Sequence, residues 1–291
     1  MARVVVSLIG GVSLGATYSL IALGIVLAFR ATGTFNFAHG EFMLLPAYLV
    51  GAWQSSHTAP IGISFLVAMV VVATIGMAFY LLVLQRTTGL HHFMGIVATL
   101  GLAAVLDGAM LLIFGSPEYA IKVSFIPHGV VRILGARFSE VELILTAFAL
   151  ILAVTVALTL RLTSVGRRVR AAGQDPILAS QGGINVRRYY MWSWALAACL
   201  AGVAGVVYGS TNVVDFSLSN VALVAFPAII IGGLDSIEGA VVGGLTVGIF
   251  QGFVATYLSS QLLDVLTYSL LLVVMLTFPR GLFGTKQVAR V

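Results

Sequence analysis

Long apolar runs dominate this sequence and constrain its fold more than any other feature. A helix that crosses the hydrocarbon core of a bilayer needs about 20 apolar residues. Seven stretches approach or exceed that length: 5–29, 61–84, 94–114, 141–160, 189–208, 240–257 and 262–278. Two shorter stretches, 42–53 and 221–234, are interrupted by Pro46 and Pro227. The pattern predicts an all-α, polytopic transmembrane helical bundle with about eight to nine membrane crossings, two of them short or broken.

The composition excludes a water-soluble protein. Hydrophobic residues make up 60% of the chain and charged residues 9%, whereas soluble domains average about 45–50% and 25%. A transmembrane β-barrel is also excluded, because its strands alternate polar and apolar residues and do not give runs such as 141–160. The first run is too long for the core of a signal peptide, so we expect it to be retained as a helix. With no linker long enough to hold a soluble domain, residues 1–291 are predicted to form a single transmembrane domain.

The basic residues indicate the orientation of the chain. The segment 161–188 carries Asp175 as its one acidic residue against six arginines: Arg161, Arg167, Arg168, Arg170, Arg187 and Arg188. By the positive-inside rule this segment is a cytoplasmic loop. The tail with Arg280, Lys286 and Arg290 is predicted to be cytoplasmic as well. Because the positive charges lie in these segments, they indicate orientation in the membrane rather than binding to nucleic acid.

These two assignments fix the remaining segments by parity. An even number of crossings must separate the arginine-rich loop from the tail, so 221–234 is predicted to cross and to leave Asp235 and Glu238 in a cytoplasmic turn. Segment 115–140 then lies outside. If 42–53 also crosses, the chain has nine crossings and its N-terminus is outside. If 42–53 is re-entrant, eight crossings remain and the N-terminus is inside.

Within the arginine-rich loop, residues 173–184 have the start and stop signals of a short isolated helix. Asp175 is the predicted N-cap, Pro176 the first helical residue, and Gly182 or Gly183 follows the end. A helix of about two turns is marginal alone in water, so another structure must hold it. It is either a capped loop resting on its own bundle or a docking element gripped by a cytoplasmic motor protein.

Four polar residues in or beside the apolar runs are candidates for a solute path. Asp107 lies near the middle of 94–114, where a carboxylate costs about 2.5–3.5 kcal/mol, so it either lines the path or makes a structural hydrogen bond. His39 and Glu41 precede the short second run. They belong to a solute site or gate, or to a turn in which Glu41 favours the dipole of the next helix. Asn36 is able to cap this helix or to bind solute.

No catalytic residue, metal site or cofactor is predicted. Adjacent histidines such as His91 and His92 point apart and have no further ligand nearby, and the single Cys199 excludes a cysteine-based cluster. The sequence has no phosphate-binding Gly-x-x-x-x-Gly-Lys motif and no nucleophile motif for an intramembrane enzyme. An ion-coupled carrier remains an alternative class, for which only Asp107 offers a buried carboxylate.

Four segments, in this order along the chain, resemble the LivH-type permeases of branched-chain amino acid ABC transporters. They are GTFNFAHGEF at 33–42, the loop 167–184, AFPAIIIGGLDSIEGA at 225–240 and FPRGLFG at 278–284. The NFAHGE block is the most specific of them. The likeness extends over essentially the whole chain.

The resemblance implies a permease subunit of a bacterial inner-membrane importer with a cytoplasmic C-terminus, moving branched-chain amino acids by alternating access. Urea, short amides and aromatic acids are alternative solutes. The implied partners are a second, homologous permease subunit, two cytoplasmic ATPase subunits and a periplasmic or extracellular solute-binding protein. By the same resemblance, residues 175–184 correspond to a coupling helix seated in an ATPase cleft, with Asp175, Pro176, Ala179, Gly183 and Ile184 as its contact residues.

Overall fold

The computed structural model describes residues 1–56, 60–87, 92–127 and 129–284, and it is almost entirely helical. In chain order the helices are α1 (Ala2–Thr32), α2 (His39–Ser56), α3 (Ile61–Thr87, with a π-helical turn at Tyr80–Leu84), α4 (His92–Phe114), α5 (Glu140–Leu162), α6 (Ser164–Gln174), α7 (Pro176–Gln181), α8 (Val186–Gly209), α9 (Leu218–Val224), α10 (Phe226–Gly232), α11 (Ile237–Tyr257) and α12 (Leu263–Thr277). A 3₁₀ turn, Ser260–Leu262, precedes α12.

Six of the helices in these ranges, α1, α3, α4, α5, α8 and α11, are long and apolar enough to cross a membrane. The combined stretch Leu218–Gly232 and helix α12 are shorter apolar helices. The prediction of a polytopic helical membrane protein is confirmed. Lys286, Arg290 and His91 lie outside the described residues.

The structure differs from the sequence-based expectation at three places. Helix α2 is not broken at Pro46 but continues through it from His39 to Ser56. A second helix, α6, forms in the arginine-rich loop, where only α7 was predicted. In the segment 115–140, a β-hairpin joins strand β1 (Val130–Ile133) to strand β2 (Ala136–Ser139), in register from Val130–Ser139 to Ile133–Ala136.

Pro46 is tolerated inside α2 because α8 has a glycine, and so no side chain, where the two helices meet. A proline in a helix lacks an N–H and adds a bulky ring. A Cβ on Gly202 of α8 would lie 3.0 Å from the Cγ atom of Pro46 and 2.8 Å from the Cε atom of Met69. The missing side chain of Gly202 therefore accommodates the proline ring, and packing against α8 keeps α2 helical.

Helices α1 and α8 form the centre of the bundle. In each, 78% of the most apolar segment is buried, against 28% in α3, 17% in α4 and 22% in α5. The outward faces of these three peripheral helices are apolar, with Leu66, Val70, Leu112 and Ile151 strongly exposed. Such continuous apolar surface is typical of a protein surrounded by lipid or by other membrane subunits.

A glycine-lined interface joins α1 to α11. A Cβ on Gly15 would lie 2.9 Å from the Cα atom of Leu245, so the two backbones are in direct contact. The hydroxyl of Ser19 donates to the carbonyl of Val241 at 2.9 Å and thus bridges the same pair. Close backbone approach of this kind is how small residues stabilise helix pairs in membranes.

Contacts between distant segments define two ends of the bundle. At the end that we call the loop end, Arg161 forms a 3.3 Å ion pair with Glu238, and the amide of Leu282 donates to the carbonyl of Ile231 at 2.7 Å. At the opposite, hairpin end, Gln54 exchanges hydrogen bonds with the backbone of Lys122. The arginine-rich loop, the α10–α11 turn and the 278–284 segment therefore share one end.

Candidate functional site

A small cavity lies where the start of α2 meets the broken helix α9–α10. Its volume is about 60 Å³, which holds about two water molecules at roughly 30 Å³ each. The connection between α1 and α2 and the first turn of α2 form one wall, and residues 219–226 form the other. The lining residues are Ile25, Phe35, Asn36, Phe37, His39, Gly40, Glu41, Ser219, Asn220, Ala222, Leu223 and Phe226.

Three of the predicted path residues, Asn36, His39 and Glu41, come together in this cavity. The Oδ1 atom of Asn36 accepts from the amide of Ala38 at 3.1 Å and so turns the chain into α2. The Nδ2 atom of Asn36 and the Oε2 atom of Glu41 are buried and have no hydrogen-bond partner among the described residues. The ring nitrogens of His39 are also buried, beside the backbone of Ile21. A buried polar group without a partner costs about 1–3 kcal/mol, so Asn36 and Glu41 are candidates for contact with a ligand or with water.

The ring of His39 is held in a notch of α1. A Cβ on Gly24 would lie 2.7 Å from the Cε1 atom and 2.9 Å from the Nε2 atom of His39, and 3.0 Å from the carbonyl oxygen of Ala197. The ring is 1% exposed, so only a glycine at position 24 leaves room for it between α1 and α8.

Three aromatic rings cover one side of the cavity. The ring centroids of Phe35 and Phe226 are 4.7 Å apart, those of Phe35 and Phe37 5.2 Å, and those of Phe37 and Phe226 6.5 Å. The hydroxyl of Thr99 on α4 holds the backbone of Phe35 and Phe37 in place. It donates to the carbonyl of Phe35 at 3.2 Å and accepts from the amide of Phe37 at 3.3 Å. The cavity therefore combines an apolar wall with free polar groups.

The wall formed by α9 and α10 is a discontinuous helix. The chain kinks at Ala225, and Pro227, in the first turn of α10, has no N–H to continue the bonding pattern of α9. A Cβ on Gly40 would lie 3.2 Å from the Cα atom of Ser219, with the Ser219 carbonyl still closer. Backbone of α9 thus lies directly against the start of α2, and residues of both short helices line the cavity. Discontinuous helices commonly build solute sites in transporters.

Asp107, the fourth predicted path residue, does not line the cavity. It is exposed on the surface of α4. A mid-span carboxylate does not face hydrocarbon. Its surroundings in the assembled protein must therefore be water or another subunit rather than lipid.

The second candidate region is helix α7, whose capping was predicted from the sequence and is confirmed. The Oδ1 atom of Asp175 accepts from the amides of Ile177 and Leu178 at 3.1 and 2.9 Å, and Pro176 is the first residue of the helix. At the other end, Gly183 has φ of 79°, and the amide of Ile184 donates to the carbonyl of Ala179 at 3.0 Å. Both ends of α7 are closed by local hydrogen bonds.

One side of α7 is apolar and uncovered. Ile177 is 69% exposed and Leu178 57% exposed, whereas Ala179 is 7% exposed and faces the protein. Two adjacent large aliphatic side chains on a short polar loop are unusual for a surface that meets only water.

Helices α6 and α8 fasten α7 to the bundle. The hydroxyl of Tyr190 in α8 donates to the carbonyl of Ala172 in α6 at 2.7 Å. The guanidinium of Arg170 donates to the carbonyls of Leu160 and Arg161, the last residues of α5. Gly173 packs directly on the carbonyl of Arg30. The loop is therefore a folded element in contact with α1, α5 and α8.

Sequence reasoning missed the apolar half of the cavity. The three phenylalanines, Thr99 and the notch at Gly24 come from four separate segments, and a single sequence does not indicate which aromatic residues meet. The one available signal was the repetition of phenylalanine around Asn36 in the 33–42 segment.

Comparison with known proteins gives a consistent result over the whole chain. Residues 7–277 match the family model described as "Branched-chain amino acid transport system / permease component". The chain is 28% identical to the high-affinity branched-chain amino acid transport system permease protein LivH of Salmonella typhimurium, over 97% of this chain and 96% of the relative. LivH of Escherichia coli K12 gives the same identity and coverage. The permease protein BraD of Pseudomonas aeruginosa is 27% identical over 98% of this chain and 97% of that relative.

Proposed function

This chain belongs to the family of branched-chain amino acid transport permease components, and we propose that it forms a solute path for branched-chain amino acids. As a member of that family it is a multi-pass permease subunit of an ABC transporter. ATP is hydrolysed in separate ATPase subunits, and a solute-binding protein completes the system. The match over residues 7–277 is the observation that carries this assignment.

We propose that the chain crosses the membrane nine times, with its N-terminus outside and its C-terminus in the cytoplasm. The length and direction of α2 support a full crossing. The helix has 18 residues, about 27 Å at 1.5 Å per residue, and Gln54, near its last residue, bonds to Lys122 at the hairpin end. The arginines of the loop end favour the cytoplasm.

The proposed solute site is the cavity of Asn36, His39 and Glu41. An amino acid presents an ammonium group, a carboxylate and an apolar side chain. The Glu41 carboxylate suits the ammonium, the free Asn36 amide suits the carboxylate, and the three phenylalanine rings suit an aliphatic side chain. In this structure the cavity is closed, because about 60 Å³ is far below the roughly 300 Å³ of a small ligand pocket. Entry of solute requires α9–α10 to move away from α2.

We propose that α7 is the coupling helix and that Ile177 and Leu178 insert into an ATPase cleft. In this role Asp175 and Pro176 start the helix, Ala179 packs it on the bundle, and Gly183 and Ile184 end it. Closure of the ATPase pair would push α7, and α6 would pass the displacement to α1, α5 and α8. Alternating access then follows if the ATPases bind the two bundle states with different affinity.

A second, homologous permease subunit is the proposed partner within the membrane. The exposed apolar face of α4 and its carboxylate at Asp107 support this proposal, because a paired subunit would enclose Asp107 in a water-filled path between the two chains. The solute-binding protein would dock at the hairpin end, opposite the ATPase subunits at the loop end.

Uptake by the reconstituted transporter tests the proposal. Proteoliposomes with the permease, its ATPases and its binding protein should accumulate leucine only with ATP. Glu41→Gln should lower kcat/KM for leucine about 10- to 100-fold, the equivalent of the roughly 1.5–3 kcal/mol of a hydrogen bond to a charged group. Glu118→Gln removes an exposed carboxylate outside the cavity and is the control. Because Glu118 lies at the hairpin end, both variants are compared at saturating binding protein.

Three results would contradict this assignment. Uptake by the permease alone, driven by an ion gradient, would indicate an ion-coupled carrier. Competition by urea, short amides or aromatic acids, but not by leucine, would retain the transporter class and replace the substrate. Equal kcat/KM values for the Glu41 and Glu118 variants would reject the cavity as the solute site.

A further inference from the structure

A groove of about 640 Å³ opens at the loop end between α5, α6 and α8. Along α8 its lining runs from Arg188 and Tyr189 in the first turn to Leu196 two turns further. We call the end with Arg168, Arg188 and Tyr189 its mouth, and Gly183 and Ile184 at the end of α7 also line the groove. This groove is separate from the solute cavity and shares none of its lining residues.

The lining of the groove changes from apolar to cationic along its length, which would match the acyl chains and the headgroup of a phospholipid. Leu196 lies on a helix that spans the membrane, and Trp192, one turn before it, is 53% exposed. Tryptophan and tyrosine prefer the level of the lipid headgroups. Along the groove the order is therefore aliphatic, aromatic and then cationic, which matches an acyl chain, a glycerol backbone and a phosphate.

The mouth carries a positive potential that the protein leaves largely uncompensated. The Nη1 atom of Arg168 donates to the hydroxyl of Tyr189 at 3.0 Å, which leaves its other N–H groups available. Arg188 is exposed, and none of the described residues that line the groove is acidic. The first turn of α8, with Asn185 as its N-cap, adds the positive end of a helix dipole.

We propose that this groove binds an anionic phospholipid of the cytoplasmic leaflet. Basic pockets between membrane helices on the cytoplasmic side are a known form of headgroup recognition. An ATPase docked on α7 would reach the groove at Gly183 and Ile184, but it would not account for Leu196, which lies within the membrane-spanning helix α8. A second groove of about 270 Å³, at the hairpin end, is lined among the described residues by apolar side chains and Ser210 without any cation, and a third groove at that end carries Lys122 together with the opposite charge of Glu118. Neither of these two grooves combines an apolar stretch with uncompensated cations.

Quenching of Trp192 fluorescence by brominated lipids tests the proposal in the assembled transporter. Nanodiscs would contain a background of unlabelled lipid with either brominated phosphatidylglycerol or brominated phosphatidylcholine. The Trp192 signal is the difference between the wild type and Trp192→Phe. We expect brominated phosphatidylglycerol to quench it at a lower mole fraction than brominated phosphatidylcholine. Arg168→Gln and Arg188→Gln should each reduce this preference about fivefold, and Arg188→Lys should largely retain it.

Arg187→Gln is the matched control, because Arg187 is adjacent in sequence, exposed and outside the groove. Its lipid preference should equal that of the wild type. Inorganic phosphate should leave the quenching unchanged, because the acyl chains hold the ligand; displacement by phosphate would show a simple anion site and overturn the proposal. Equal quenching by both lipids would also overturn it. So would protection of Trp192 from both, which would mean that another subunit covers the groove.

Discussion

The exposed side chains of α7 give the sharpest test of coupling, because they can be removed without disturbing the permease itself. Ile177 and Leu178 are 69% and 57% exposed, so they contribute little to the stability of the free subunit. Alanine is also a better helix former than isoleucine. The double variant Ile177→Ala, Leu178→Ala should therefore leave α7 and the thermal unfolding of the permease unchanged.

The expected cost to ATPase binding follows from the exposed fractions. Complete burial of a leucine or isoleucine side chain contributes about 1.5–3 kcal/mol. If docking buries the exposed fraction of each, the pair contributes about 2–4 kcal/mol. Since about 1.4 kcal/mol is tenfold in affinity, the Kd for the ATPase subunits should rise about 30- to 1,000-fold.

Titration of detergent-solubilised permease with purified ATPase subunits measures this Kd. Phe125→Ala is the control, because Phe125 is 74% exposed but lies in the segment before the hairpin, at the other end of the bundle. The reasoning is refuted if the double variant binds the ATPases as tightly as the wild type while both unfold at the same temperature.

Three further substitutions test single contacts. Asp175→Ala should remove the cap of α7 at a cost of about 1 kcal/mol and speed hydrogen exchange of the two capped amides, whereas Asp175→Asn should preserve their protection. Gly24→Ala should push the His39 ring out of its notch and destabilise the protein by about 1–3 kcal/mol, measured by thermal unfolding. The control Gly108→Ala, at a position with open space around it, should leave the stability unchanged. Equal stability of the two variants would contradict the contact between Gly24 and His39. Tyr190→Phe should lower stability by about 1–3 kcal/mol, because it leaves the buried carbonyl that the hydroxyl now binds without its partner.

The membrane helices and the capping of α7 were predictable because both depend on local sequence. An apolar run has few alternatives to a transmembrane helix, and the order Asp175, Pro176, Gly182 identifies a short helix by its ends. Helix α6 was not predicted, although Thr163 caps its start and Val169 and Ala172 recur at helical spacing on its buried face. The arginines between these residues obscured the apolar period. The position of α6 depends on Arg170 capping α5, which is a tertiary contact.

The same distinction explains the errors around the cavity. The sequence indicates a break at Pro46, but Gly202 on another helix makes room for the proline ring. The ring centroids of Phe35 and Phe226 lie 4.7 Å apart although most of the chain separates the two residues. Neither the accommodation of Pro46 nor the aromatic wall is a property of a local segment, so no reading of periodicity or capping would have found them.

Helix α1 physically connects the two candidate regions. The notch for His39 is at Gly24, and the contact with the loop is at Arg30, which is six residues or about 9 Å further along the helix axis. The glycine interface at Gly15 fastens α1 to α11, so these two helices resist separate movement. Under the proposed coupling, a displacement of α6 that reaches Arg30 would move α1 and α11 as a pair. Such a movement would change the contact between Gly24 and His39, and with it the cavity beside α9–α10.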